Sequence, residues 1–177
     1  MSNEFFLREL AKGDVDVINR WRSDHELVDK LGANFRYIDK TVDEAWMAAY
    51  FNNRANNVRL AICQKGVESI VGVVYLISID WVNRNCELAI MIGDPNCRGK
   101  GIGEFATRQA LKHAFFDLNL HRVSLTVLES NVSAISLYSK LGFKREGLLK
   151  DVVYKSSKYH NMLTMALLKS EFSELNS

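Results

Sequence analysis

Apolar positions fall into short runs broken by polar turns. Phe5–Leu10 reads as a first strand, and Val58–Cys63 and Ile70–Ile79 are rich in β-branched residues, as strands are. Asn83-Arg84-Asn85 suits a hairpin turn leading into a strand over Cys86–Ile92. Within that strand Glu87, Ala89 and Met91 share one face, and Cys86, Leu88, Ile90 and Ile92 the other. Ile102, Ala106, Ala110 and Ala114 then recur at i+4 with Phe105 beside them, which is a helical period. His121–Leu128 returns to a strand pattern. Asn131 or Ser133 can cap a short helix to Lys140, with Gly142 placed to end it. Earlier, Asp14 can cap a helix running through Trp21. Thr41-Val42-Asp43-Glu44 has capping-box spacing ahead of the helix-like Ala45–Phe51. Two last strands are expected near Lys150–Tyr154 and Met162–Leu168, joined by Lys155-Ser156-Ser157-Lys158.

The predicted order is mixed α/β, with hairpins at both ends and a strand–helix–strand unit between them. No linker, repeat or low-complexity stretch divides the chain, so residues 1–177 are read as one domain. A net charge of +2, with Lys and Arg scattered, does not point to nucleic acid or an acidic membrane. No apolar run approaches the ~18 residues of a membrane span, and the N-terminus lacks a signal-peptide layout. Cys63, Cys86 and Cys97 are odd in number and lack CxxC spacing, which suggests reduced thiols in a cytoplasmic protein. The four histidines are dispersed without ligand spacing, so no metal is expected.

The segment richest in chemistry is Arg98-Gly99-Lys100-Gly101-Ile102-Gly103, between a strand and a helix. First-turn N–H groups have no intrahelical acceptor and attract anions. Glycines allow φ > 0 and close approach of backbone to a pyrophosphate, and Arg98 and Lys100 add charge. The spacing is neither GxGxxG nor GxxxxGK[ST], so Rossmann and P-loop sites are disfavoured.

Arg98-x-x-Gly101-x-Gly103 resembles the (Q/R)xxGx(G/A) pyrophosphate loop of the GNAT N-acetyltransferases. Downstream, Asn131-x-x-Ala134-x-x-Leu137-Tyr138-x-Lys140-x-Gly142-Phe143 resembles the second signature of that family. Arg20-Trp21-Arg22-Ser23-Asp24 and the stretch from Glu146 to Met162 resemble the branch of ribosomal-protein N-terminal acetyltransferases and their small-molecule relatives. The resemblance implies a mostly antiparallel twisted sheet of six to seven strands flanked by about four helices, with splayed central strands holding acetyl-CoA. It implies that backbone amides of Arg98, Gly99, Lys100, Gly101, Ile102 and Gly103 hold the pyrophosphate. It places the pantetheine arm along Met91 and Ile92, with Asn131 and Ser133 beside it and the Tyr138 hydroxyl at the thioester sulfur.

Amide formation needs a neutral amine, donors for the developing oxyanion and a proton for the leaving thiolate. Tyr138 is the candidate acid, although Ala134, Leu137, Tyr138 and Leu141 also make a core stripe. Glu87 is the candidate base, acting through water, with a solvated or arginine-paired carboxylate as the other reading. Some family members carry a base on the following strand, where this chain has Thr126. The resemblance also implies that the acceptor side lies at about Trp21–Phe51 and Tyr154–His160, where Trp21, Phe35, Tyr37 and Trp46 accompany Asp24, Glu26, Asp39, Asp43 and Glu44. Those residues suit a cationic amine or a peptide N-terminus, so the candidate acceptors are a polyamine, an amino sugar or another small-molecule amine and a protein N-terminus; a packed helix pair with solvated charges is the other reading of most of them. A non-catalytic acyl-CoA-binding module is the competing reading, and a homodimer through an exposed strand edge is expected.

Overall fold

The computed structural model describes residues 4–174, and among them lie seven strands and six α-helices. In chain order these are β1 (Phe5–Glu9), α1 (Val15–Arg22), α2 (His25–Asp29), α3 (Lys40–Asn52), β2 (Val58–Gln64), β3 (Gly72–Asp80) and β4 (Asn85–Ile92). There follow α4 (Ile102–Lys112), β5 (Arg122–Leu128), α5 (Val132–Lys140), β6 (Lys144–Lys155), β7 (Lys158–Leu168) and α6 (Lys169–Glu174). The four helices expected from periodicity are present, and the short α2 and α6 are added to them.

One sheet runs in the order β1-β2-β3-β4-β5-β7-β6, antiparallel throughout except at β4–β5. That parallel pair is short. Asn85 faces Arg122, Cys86 faces Val123 and Glu87 faces Ser124, and the pairing stops there. Both strands continue, β4 to Ile92 and β5 to Leu128, so they diverge into a wedge.

Strand alternation gives the sheet two different faces. On one, Cys86, Leu88, Val123, Leu125 and Val127 pack with the Ile102–Ala106–Ala110–Ala114 stripe of α4 and with Ile135, Tyr138 and Leu141 of α5. On the other, Val73 and Ala61, with Tyr75 and Met91, lie under Val17 and Ile18 of α1 and Met47 and Tyr50 of α3. Further along that second face a smaller cluster forms from Leu128, Val153 and Met162.

Local chemistry accounts for most element ends. Gly142 has φ +94, and Phe143 N–H donates to Tyr138 C=O at 3.0 Å, closing α5 with a Schellman turn. Ser156 and Ser157 both have positive φ, as a two-residue hairpin turn requires. Three expectations change. Asp39, not Thr41, caps α3, accepting from Thr41 N–H at 2.9 Å, so that helix starts earlier. Asp14 precedes α1 but turns its carboxylate back, accepting from Arg8 at 2.7 and 2.8 Å and from Ala11 N–H at 2.8 Å. Strand β6 begins at Lys144 rather than near Lys150, because cross-strand pairing to β7 overrides its exposed, unpatterned side chains. No helix among the described residues is long and apolar enough to cross a membrane.

Candidate active site

The wedge between β4 and β5 opens toward the N-termini of α4 and α5. The loop from Arg98 to Gly101 forms one lip. Gly99 and Gly101 have φ +73 and +78, the conformation the sequence pattern anticipates, and Gly101 is the N-cap of α4. Among the described residues, the amides of Gly99 through Glu104 donate to no backbone carbonyl, whereas Phe105 N–H is already bound to Gly101 C=O. This row of free donors at a helix start is a cradle for a phosphate-bearing ligand. Gly103 is needed for no unusual φ, and a Cβ there would only touch Leu137 at 3.4 Å.

Arg98 departs from its expected use. Its guanidinium turns away from the lip, donating to Ile92 C=O at 3.1 Å and Gly93 C=O at 3.0 Å. It therefore ties the loop to the end of β4, while Lys100 remains exposed. A side chain at Gly93 would run into the Trp21 ring, so Trp21 lies flat on the backbone at that same strand end.

Asn131 caps α5: its Oδ1 accepts from Ala134 N–H at 3.2 Å and from the Ser133 hydroxyl at 3.1 Å. Its Nδ2 donates to Lys30 C=O at 3.0 Å, a contact across 101 residues of chain. Both polar atoms of the amide are thus engaged within the protein, with one of the two Nδ2 hydrogens left over. Tyr138 is buried in the α5 core stripe, edge-on to Phe143 at 5.7 Å between ring centroids. Its hydroxyl has no hydrogen-bond partner among the described residues, and burial alone pushes it up to about 12. The phenol therefore holds its proton at neutral pH.

Glu87 stands where β4 and β5 part. It shares its face with Met91, opposite the α4–α5 layer that holds Tyr138. The Thr126 hydroxyl points to its carboxylate at 3.5 Å across the opening. Glu87 thus stands at the opening of the wedge on one face of the sheet, while Tyr138 is packed in the helix layer on the other.

The expected acceptor residues divide sharply. Asp24 caps α2, Asp39 caps α3, and Glu44 reaches Lys40. Asp43 is fully buried and accepts from Asn19 at 2.8 Å and from Arg22. Trp46 stacks with the Arg59 guanidinium, 4.7 Å from its ring centroid, and Phe35 stacks on His25. Glu26 is exposed and forms no ion pair among the described residues, and Tyr37 is 94% exposed. The three cysteines are free and buried. Burial, with a smaller push from Glu87, lifts the Cys86 thiol to about 12, which makes it an inert filler rather than a nucleophile. No group of three or more His, Cys, Asp or Glu side chains is arranged for a metal among the described residues.

Sequence comparison agrees with this geometry. Residues 4–144 match the family model of the acetyltransferase (GNAT) domain. The spermidine N(1)-acetyltransferase of Vibrio cholerae is 27% identical over 172 residues, covering 97% of each chain. That of Escherichia coli K12 is 35% identical over 101 residues, covering 57% of this chain and 54% of that one. The crystal structure of the Vibrio cholerae enzyme in complex with CoA and spermine superposes with a TM-score of 0.88 at 24% identity, over 97% of this chain and 99% of that one. With its wedge, its glycine cradle and a family match over most of its length, this chain belongs to the GNAT acetyltransferase family.

Proposed function

We propose that the acceptor of this acetyl-CoA-dependent N-acetyltransferase is a small polyamine, and that Glu87 and Tyr138 are its base and acid. The observation that carries the reading is the wedge itself, with the free amide row on one lip and the Glu87 carboxylate where its strands part. Acetyl-CoA supplies an acetyl group activated as a thioester. The chain's own residues bind and orient. The amides of Gly99 to Glu104 receive the pyrophosphate. Beyond Glu87, the side of β4 that faces β5 has no strand partner among the described residues, so the backbone at Met91 and Ile92 can pair with an extended arm. Asn131 and Ser133 border this arm at the start of α5 and fix the helix that carries Tyr138.

Glu87 takes a proton from the amine through water, and Tyr138 returns one to the leaving sulfur. A polyamine fits the acceptor face because Glu26 and Asp29 stand exposed without ion-pair partners among the described residues, and Glu87 has only Thr126. The similarity to two spermidine acetyltransferases supports the same class. The free cysteines suit a reducing cytoplasm. Strand β6 is one of the two edges of the sheet, the other being β1, and exposes Leu148, Leu149, Val152 and Tyr154, which is where a homodimer would form.

The test is thermal unfolding with acetyl-CoA against ATP and NAD, then an amine panel including spermidine read by CoA release. Ligand at about a hundred times its Kd adds ~2.7 kcal/mol. A selective acetyl-CoA shift with spermidine turnover is the expected result. Absence of the shift refutes the site, and a shift without turnover of any amine favours a non-catalytic acyl-CoA-binding module.

A further inference from the structure

Lys155, the last residue of β6, is the one buried lysine among the described residues. Its ammonium meets no carboxylate. It donates instead to Val28 C=O at 2.6 Å and to Leu31 C=O, at the end of α2. Helix α2 has only five residues, too few to be stable alone. Its end is held by long-range bonds. Asn131 grips Lys30 C=O at 3.0 Å from the α5 side, and Asn34 donates to Tyr154 C=O at 3.2 Å. Between these tethers Gly32 lies so close to Met162 that a Cβ would stand 2.6 Å from the methionine methyl.

The register shows which side of the sheet this segment covers. Glu87 pairs with Ser124, and two residues on from Ser124 lies Thr126, paired with Thr164. Two residues further lies Leu128, paired with Met162. Directly paired and i+2 residues share a face, so Met162 lies on the Glu87 face. The segment from Val28 to Asn34 thus roofs the acceptor side of the wedge, next to the wide end where α5 begins.

A buried ammonium hydrogen-bonded only to neutral carbonyls is a costly way to hold a loop, since no ion pair offsets its desolvation and the charge of Asp29 does so only in part. Burial accordingly pushes the Lys155 pKa down, with Asp29 opposing. We propose that Lys155 is a positioning residue for the acceptor: by capping the end of α2 it clamps Val28–Asn34 over β7 and shapes the amine-binding wall facing Glu87. Asn131 is the second point of the clamp and joins that wall to the start of α5, so the acceptor wall and the cofactor side share one side chain. The proposal rests on the acetyltransferase reading.

The test compares wild type with Lys155→Met, which keeps the length and apolar stem but removes the donors. Three readouts are taken: steady-state kinetics with spermidine, acetyl-CoA affinity by calorimetry, and amide hydrogen exchange. The expected result is a KM for the amine raised at least tenfold with kcat changed less than threefold. Acetyl-CoA Kd stays within twofold, and exchange over residues 28–34 speeds up at least tenfold while β4 and α4 are unmoved. Lys155→Gln, a neutral donor, recovers part of the KM and serves if the Met variant does not fold. An unchanged amine KM overturns the proposal, as does unchanged exchange over 28–34, which would mean that Lys155 contributes bulk stability only. If wild type turns over no amine, the parent reading fails, and faster exchange over 28–34 in the variant still upholds the clamp.

Discussion

Tyr138→Phe separates the two readings of this residue, core aromatic and proton donor, because the structure assigns them different magnitudes. The ring is buried against Phe143, and the substitution keeps it. The hydroxyl has no hydrogen-bond partner among the described residues, so no bond is lost, and unfolding free energy at pH 7 should change by less than about 1 kcal/mol. If the hydroxyl protonates the departing sulfur, kcat should fall by roughly 10²–10⁴. The pH dependence gives a further check. The hydroxyl titrates near 10.0 in the unfolded chain and at about 12 in the fold. Between those values the unfolded state has lost the proton and the folded state has kept it. Wild type is therefore fully stable below the lower value and loses stability as pH rises toward 12, by up to roughly 3 kcal/mol at about 1.4 kcal/mol per pH unit. Tyr138→Phe lacks that loss, which makes the difference between the two proteins independent of the buried cysteines they share. The assay is CoA release at saturating spermidine, with acetyl-CoA affinity by calorimetry and denaturant melts from pH 7 to 12. A kcat within threefold of wild type would refute the acid role. A loss of acetyl-CoA affinity as large as the loss of kcat would make Tyr138 a binding residue instead.

Gly101→Ala should destabilise the protein by roughly 1–2 kcal/mol, because φ is +78 while nothing lies within 4 Å of the added Cβ. It should also weaken acetyl-CoA binding at least tenfold by calorimetry, whereas Gly103→Ala, at an ordinary φ, should be near neutral; equal effects at the two positions would contradict the cradle geometry. Asp43→Ala should cost about 3 kcal/mol in a denaturant melt, since it strands Asn19 and Arg22 beneath α3. The value sits at the low end for a buried pair because the Arg22 side chain is 38% exposed and can reach water, and a cost under 1 kcal/mol would show that the site is already hydrated.

Local order was legible in the amino-acid sequence. The α4 stripe, the positive φ at Gly99, Gly101 and Gly142, the alternation along β4 and the two signatures all follow from steric and periodic rules acting within a few residues. The family resemblance rests on the same short-range patterns, and the expected sheet and wedge are present. Where each polar side chain would be spent was not legible, because that depends on partners distant in the chain. Arg98 has the charge to meet a phosphate but bonds the end of β4. Asn131 occupies the expected motif position, yet its amide is divided between α5 and Lys30. Asp43 is fully buried as the partner of Arg22, although it was among the carboxylates expected on the acceptor side. Lys155 looks in sequence like an ordinary turn lysine, and only the packing of α2 on the end of the β6–β7 hairpin buries it. A buried polar group must find a partner wherever the folded chain supplies one. Sequence therefore determined the scaffold and the kind of chemistry, and tertiary packing decided which of the candidate side chains remain free to perform it.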